Sequence, residues 1–285
     1  MQNPKILAVT GATGAQGGGV VNVMKKVPGW KVRAITRNTT SDAAQNLAAE
    51  GIEVVQASFD DETSLAKAFE GAHAVYAVTN FWEHYFRGKT LRESGTIEEA
   101  QGMTIARAAA DTPTLEHFIW STEPSAAKVT NGQIVTPHLD HKANNMAYVP
   151  AMKPVLHPGN GQWIQVLPTK PDAKILLSGD MAVNPGIWVR QVLANGSKTF
   201  GKYANVALEK WSFQQMVEVW GEVLGRNAVF MRGEMGTEMA QQFKFGEICD
   251  PWKETEEFLS SAALGIDEKE VVGFRGTIES LKHLF

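Results

Sequence analysis

The sequence predicts an α/β fold: a Rossmann-type doubly wound parallel sheet followed by a smaller mixed C-terminal lobe. Three observations carry that prediction. Short apolar runs alternate with amphipathic helical patterns through the first 121 residues. Glycines spaced i, i+3, i+6 stand between the first apolar run and the first helix. Beyond Pro150 the texture changes, and five of the eight tryptophans (Trp163, Trp188, Trp211, Trp220 and Trp252) fall there. Apolar strands separated by helices require a parallel sheet covered on both faces. The expected division is a dinucleotide-binding domain over residues 1–150 and a substrate or partner lobe over 151–285.

Each element has its own reason. Ile6-Leu7-Ala8-Val9 is uniformly apolar, as a central buried strand must be, and Val20-Val21-Asn22-Val23-Met24 follows the glycines at helical spacing. Residues 31–36 read as the second strand, 41–50 as a helix and 52–57 as the third strand. Residues 61–69 have an acidic start and an apolar stripe at Leu65, Ala68 and Phe69, hence a helix. Residues 74–78 make a buried fourth strand, 98–111 an alanine-rich helix and 117–121 the fifth strand. In the lobe, helices are expected at 186–194, 212–224 and 251–263, with short strands near 163–167 and 204–208.

Ligands of such sheets sit beyond the carboxyl ends of the strands. The glycine turn Gly11-Ala12-Thr13-Gly14-Ala15-Gln16-Gly17 lies at the first of these ends. Strand, glycine turn and helix in that order form a dinucleotide fingerprint, because backbone amides at a helix N-terminus face a pyrophosphate. The second strand ends at Arg37, where an NAD site usually carries an acid for the ribose hydroxyls. A guanidinium there suits a 2′-phosphate by bidentate hydrogen bonding, which points to NADP(H).

The bulk numbers exclude several classes. The chain has 285 residues, 44% hydrophobic and 20% charged, with a net charge of −4. Nothing in that balance draws it to nucleic acid or to an anionic membrane, and the basic pair Lys25-Lys26 is the longest basic run weighed. The single cysteine, Cys249, precludes an internal disulfide framework and fits a reducing compartment. No apolar run reaches membrane-spanning length, and residues 6–9 read as a strand rather than a secretion signal. A cytoplasmic protein is the expectation.

Several segments together resemble the NmrA-like proteins, atypical members of the short-chain dehydrogenase/reductase superfamily. They are GATGAQGG at 11–18, TRN at 36–38, VTNFWE at 78–83, EHFIWST at 116–122, PHLDHK at 137–142 and GIWVRQVL at 186–193. The resemblance implies a Rossmann-type domain, a small C-terminal lobe and NADP(H). Some members are redox-sensing regulators and others reduce isoflavones and similar rings. Carried over by position, Gly11 to Gly17 form the pyrophosphate loop and Arg37 takes the 2′-phosphate. Ser58 and Phe59 hold the adenine, with Ser58 where many relatives have aspartate. Thr79, Asn80 and Phe81 line the nicotinamide-side ribose, and Lys142 reaches that ribose and lowers the pKa of a neighbouring donor.

Two departures from the family follow. Typical short-chain reductases use Tyr-x-x-x-Lys after the fifth strand, with a serine at that strand's end. Here the spacing occurs at Tyr85 and Lys89, before the fifth strand, and reads as coincidence. Ser121 holds the serine's place but the tyrosine's place is empty, leaving His138, His141 and Tyr148 as substitutes. His141 beside Lys142 suits a proton donor near neutral pH, so the candidate catalytic set is Lys142, His141 and Ser121. The histidines otherwise only shape the loop, and no metal site is expected. The second departure is that no helix followed by a Val/Ile-rich strand is legible between Ser121 and Gln162. Residues absent from the chain here explain this better than an architecture that dispenses with a sixth strand.

Two functions emerge. One is an NADPH-dependent reductase of a small apolar or aromatic carbonyl or enone, with Phe81, Trp82 and Trp120 as an aromatic wall. The other is a non-catalytic NADP(H) sensor that binds a regulatory protein partner. A homodimer is compatible with either.

Overall fold

The computed structural model describes residues 3–143, 155–156, 163–234, 240–248 and 258–284. The first part runs β1 (Lys5–Val9), α1 (Ala15–Met24), β2 (Trp30–Thr36), α2 (Asp42–Ala49), β3 (Glu53–Gln56) and α3 (Glu62–Phe69). It continues through β4 (Ala74–Ala77), α4 (Phe81–Phe86), α5 (Leu91–Ala110), β5 (His117–Trp120), α6 (Ala126–Val129) and α7 (Pro137–Ala143). The five strands form one sheet in the order β3-β2-β1-β4-β5, and every pairing is parallel. This is the doubly wound arrangement expected from the sequence.

Period-two alternation divides the core. Leu7 and Val9 face α1, packing with Val20, Val21 and Met24. Ala8 points the other way, toward Leu65, Phe69 and Ile105 on α3 and α5.

The remainder comprises β6 (Val155–Leu156), β7 (Trp163–Leu167), β8 (Lys174–Leu177), α8 (Asn184–Asn195), β9 (Tyr203–Ala204) and β10 (Glu209–Ser212). After these come α9 (Phe213–Leu224), β11 (Ala228–Arg232), α10 (Gln241–Ile248), β12 (Phe258–Leu259), α11 (Ser261–Leu264) and α12 (Phe274–Ser280). The strands form three small sheets: β11-β7-β6, β10-β8 and β12-β9. The packing does not divide at residue 150, since Val189 and Leu193 of α8 join the core around β1 and α1. Glycines permit that contact. A Cβ on Gly19 would overlap the Met181 carbonyl, and one on Gly186 would lie 2.5 Å from Gly19 O.

Several elements differ from expectation. VTNFWE is not only a strand end, because its last residues start α4. Helix α5 begins seven residues earlier than expected, at a capping box in which Glu93 N donates to Thr90 Oγ1 and Thr90 N donates to Glu93 Oε2. Of the helix expected at 251–263, residues 251–257 lie outside the described residues and the rest divides between β12 and α11. Within 204–208 only Ala204 pairs in a sheet. Among the described residues no sixth strand joins β5; β6 pairs antiparallel with β7 instead. Tyr148, Cys249 and Trp252 lie outside the described residues.

Candidate functional site

The three glycines do different work. Gly11 has φ +58°, in the left-handed region, and a Cβ there would sit 2.9 Å from Val78 Cγ1. A Cβ on Gly17 would overlap Gly11 O and lie 2.7 Å from Thr10 O, so this glycine lets α1 press against the turn. Gly14 is the N-cap of α1 and has an extended backbone that any residue adopts. Thr13, Gly14 and Ala15 are exposed, whereas Ala12 and Gly17 are buried. The helix opens without a side-chain cap and without an acid in its first turn, leaving its N-terminus open to an anion.

Arg37 stands at the next strand end with its side chain 52% exposed. Its Nη1 and Nη2 donate to Glu83 Oε1 and Oε2 at 2.6 and 2.7 Å, and Arg87 Nη2 lies 3.0 Å from Glu83 Oε1. The hydrogen bond from Arg37 holds the Glu83 carboxyl below its usual range, and the same bond raises Arg37. Ser58 caps the turn after β3, accepting from Asp60 N at 3.3 Å, while Phe59 is half-buried against the α3–α5 core.

At the end of β4, Thr79, Asn80 and Phe81 part ways. Asn80 is exposed and caps α4 without a side-chain bond. Thr79 Oγ1 donates to Glu98 Oε1 at 2.7 Å, inside the protein. Phe81 corrects the expectation of a ribose-lining side chain: it is 1% exposed, with its ring against Trp82 and His138. Trp82 shares that cluster, so of the three aromatic residues expected to form a wall only Trp120 reaches the cavity described below.

Lys142 is equally enclosed. Its ammonium is 3.0 Å from Glu98 Oε1 and donates to Thr79 O at 3.1 Å, and both charged side chains are at most 1% exposed. Burial lowers the lysine's pKa and Glu98 opposes that shift. Helix α7 reaches this position because Gly95 of α5 leaves room for the His141 ring, which a Cβ would overlap. That contact also settles where His141 goes: its Nδ1 is 2.6 Å from Glu99 Oε2, and it does not line the cavity. His138 is buried, with Nε2 2.7 Å from Gln242 Oε1, and burial pushes it down to about 4.

A cavity of about 1760 Å³ opens beside β5, between the sheet and the C-terminal elements. The C-terminal elements contribute apolar side chains to it, among them Trp188, Phe213, Trp220 and Phe274. The sheet side is polar: Ser121 Oγ and Tyr76 Oη both donate to Gln16 Oε1, at 2.7 and 3.2 Å. Gln16 thus ties the glycine turn to the ends of β4 and β5. Thr122 and Glu123 continue the same wall.

Four residues escaped the sequence reading: Tyr76, Glu83, Glu98 and Glu123. Tyr76 and Glu98 left a faint signal, a hydroxyl in an otherwise apolar strand and an acid on an alanine-rich helix. Among the described residues no group of three or more His, Cys, Asp or Glu side chains is placed to hold a metal ion, and no helix is long and apolar enough to cross a membrane.

The NmrA-like family model matches residues 3–153. The NmrA-like family domain-containing oxidoreductase hkm9 of Aspergillus hancockii is 40% identical over 130 residues, covering 46% of this chain and 37% of that protein. The oxidoreductase cpsB of Aspergillus campestris is 28% identical over 286 residues, covering 86% of this chain and 83% of the relative. Against the first of these the chain therefore spans well under half of the curated relative's length, and against the second most of it. In the solved structure of NmrA, a negative transcriptional regulator in complex with NADP, the fold superposes with a TM-score of 0.71 at 18% identity, covering 99% of this chain and 97% of that one. With its glycine turn, its parallel sheet and the family match over more than half its length, the chain belongs to the NmrA-like family.

Proposed function

We propose that the chain is an NADP(H)-dependent oxidoreductase of the atypical short-chain type, reducing a carbonyl or enone in a small apolar, aromatic substrate. One observation carries the reading: an open helix N-terminus on a glycine turn adjoins a largely apolar cavity with a polar cluster tied to that turn through Gln16. The residues present fit the cofactor. Gly11 and Gly17 have no room for a side chain, Gly14 is exposed, and Arg37 presents its guanidinium at the second strand end. The names of the curated relatives, all NmrA-like oxidoreductases, and the NADP complex of the regulator support the same reading.

When bound, the dinucleotide supplies a hydride. The chain does the rest. First-turn amides of α1 hold the pyrophosphate, and Arg37 holds the 2′-phosphate by turning donors away from Glu83. The Lys142–Glu98–Thr79 network fixes the end of β4. Ser121 orients the substrate oxygen by exchanging its bond to Gln16 for one to the substrate. Apolar side chains of the lobe exclude water.

Titration of NADPH by fluorescence tests the reading. Wild type should bind, and Gly14→Val, which places bulk in the pyrophosphate path with its Cβ 3.3 Å from Gly11 O, should lose binding while circular dichroism shows the fold retained. Wild type without NADPH affinity refutes it. A sensor reading is favoured by one observation: the Lys142 ammonium is bonded to Glu98 and Thr79 and does not line the cavity where a substrate would lie. A sensor would discriminate NADP⁺ from NADPH yet oxidise NADPH with no carbonyl or enone.

A further inference from the structure

Reduction of a carbonyl needs a proton as well as a hydride, and the residues expected to provide it are otherwise engaged. His141 is tied to Glu99 away from the cavity. His138 is neutral, buried and turned to Gln242. Tyr76 reaches the cavity, but its hydroxyl already donates to Gln16 Oε1 at 3.2 Å, and burial pushes it up to about 12, away from the working pH. The Ser121 hydroxyl is a positioning donor, weaker still as an acid.

The polar wall has one more member. Glu123 lies two residues beyond Ser121, where the chain leaves β5, and lines the same cavity. Thr122, between them, turns its hydroxyl to Lys142 O at 3.4 Å, fastening this exit to α7. Among the described residues no hydrogen bond reaches the Glu123 carboxyl group. An acid on the wall of an apolar cavity, without a committed partner and adjoining a serine, is placed to meet a substrate oxygen.

We propose that Glu123 is the proton donor of this site, passing its carboxyl proton to the substrate oxygen as a nicotinamide dinucleotide delivers hydride to carbon. The inference rests on the reductase reading. The hydride brings two electrons and forms the new C–H bond, at the carbonyl carbon or at the far carbon of an enone. The C=O π pair moves to oxygen, directly or through the enolate, and takes the proton as the Glu123 O–H bond breaks. The products are the reduced substrate, the oxidised dinucleotide and the Glu123 carboxylate, which regains a proton from water at the cavity mouth. Burial supports the assignment by pushing Glu123 up to about 7, against the smaller opposing effect of Lys142, the charged group that faces it. A donor near the working pH is the efficient one. The Lys142 ammonium then steadies the carboxylate left behind.

The test uses the full chain, NADPH and cinnamaldehyde as the probe substrate. Wild-type kcat should fall as pH rises through about 7, because the donor must be protonated. Glu123→Gln should lose about 100-fold in kcat, with KM and NADPH affinity within about threefold, and Glu123→Asp should recover part of the loss. Independently of turnover, carbon NMR of carboxyl-labelled glutamate should show one group titrating near pH 7 that is absent from Glu123→Gln. That titration and the aspartate variant decide the matter if the glutamine variant does not fold. A carboxyl already ionised at pH 6, or full activity in Glu123→Gln, overturns the assignment while leaving the reductase reading intact. NADPH-saturated wild type that leaves cinnamaldehyde untouched overturns both, and failure to bind NADPH removes the reading on which both stand.

Discussion

Replacing Lys142 by methionine removes the ammonium that meets Glu98 and Thr79 while keeping the length of the side chain. Lys142 and Glu98 are at most 1% exposed, so neither charge is screened by water. Breaking a buried pair by deleting one partner costs about 3–5 kcal/mol, because the other charge stays buried with that attraction lost. Replacing both charges by neutral groups of similar volume is often close to neutral. Lys142→Met should therefore lose about 3 kcal/mol, Lys142→Met with Glu98→Gln about 1, and the coupling should exceed about 2 kcal/mol. Glutamine keeps an acceptor for the Thr79 hydroxyl, which now donates to Glu98 at 2.7 Å. Urea unfolding at neutral pH, with m-values compared across the cycle, measures each term. A single-variant cost under about 1 kcal/mol, or a double variant as unstable as the sum of the singles, refutes the reasoning. The stable double variant also locates the lysine's role. NADPH affinity within about threefold of wild type assigns the ammonium to the framework, as the enclosed geometry indicates, and a loss beyond tenfold assigns it to the ribose.

Two further outcomes are expected. Glu83 occupies both ends of the Arg37 fork, so Glu83→Gln should tighten NADPH about tenfold and leave NADH unchanged, whereas Arg37→Gln should erase the preference; equilibrium titration of the two cofactors checks both, and a parallel change in NADH refutes it. His138 is depressed by burial to about 4 from 6.5, so the fold holds its stability above pH 6.5 and loses roughly 3 kcal/mol as pH falls through 4. That acid limb should flatten in His138→Phe when unfolding free energy is measured against pH, and an unaltered limb refutes the assignment.

Legibility followed the range of the determining contact. The first strand, the glycine turn and Arg37 were readable because each is decided within a few residues, by apolar continuity, by backbone room and by position at a strand end. The start of α5 was equally local, since Thr90 and Glu93 have the spacing of a capping box, and the alanine run downstream drew the reading away from it. Helix α4 was hidden for another reason. Phe81 and Trp82 bury themselves against His138, a residue contributed from well beyond β5, so an apolar pair that could have ended a strand instead anchors a helical turn. Glu98 looked like a solvent-facing charge on an alanine-rich helix. Its partner is 44 residues away, and only folding shows that both are buried. The lobe was hardest because its sheets include strands of two residues, too short for alternation to register.

The bare flank of β5 connects the topology to the site. Among the described residues β5 is the last strand of the sheet, and the cavity lies against it. A neighbouring strand would sit about 4.8 Å away and pair with the outer amides and carbonyls of β5. Nothing along β5 resembles the protection usual at a sheet edge; its residues are His117, Phe118, Ile119 and Trp120, without lysine or proline. Phe118 is 39% exposed, and the His117 ring nitrogens and Trp120 Nε1 are buried without hydrogen-bond partners among the described residues. Among the described residues the sheet therefore ends where a fully doubly wound fold would continue. The cavity exceeds the 300–1,000 Å³ of sites for drug-sized ligands, and the strand ends supply one cluster of its polar groups. Gln16, Tyr76, Ser121 and Glu123 are the groups that the end of the sheet brings to one wall of this cavity, beside the glycine turn where the dinucleotide is proposed to sit.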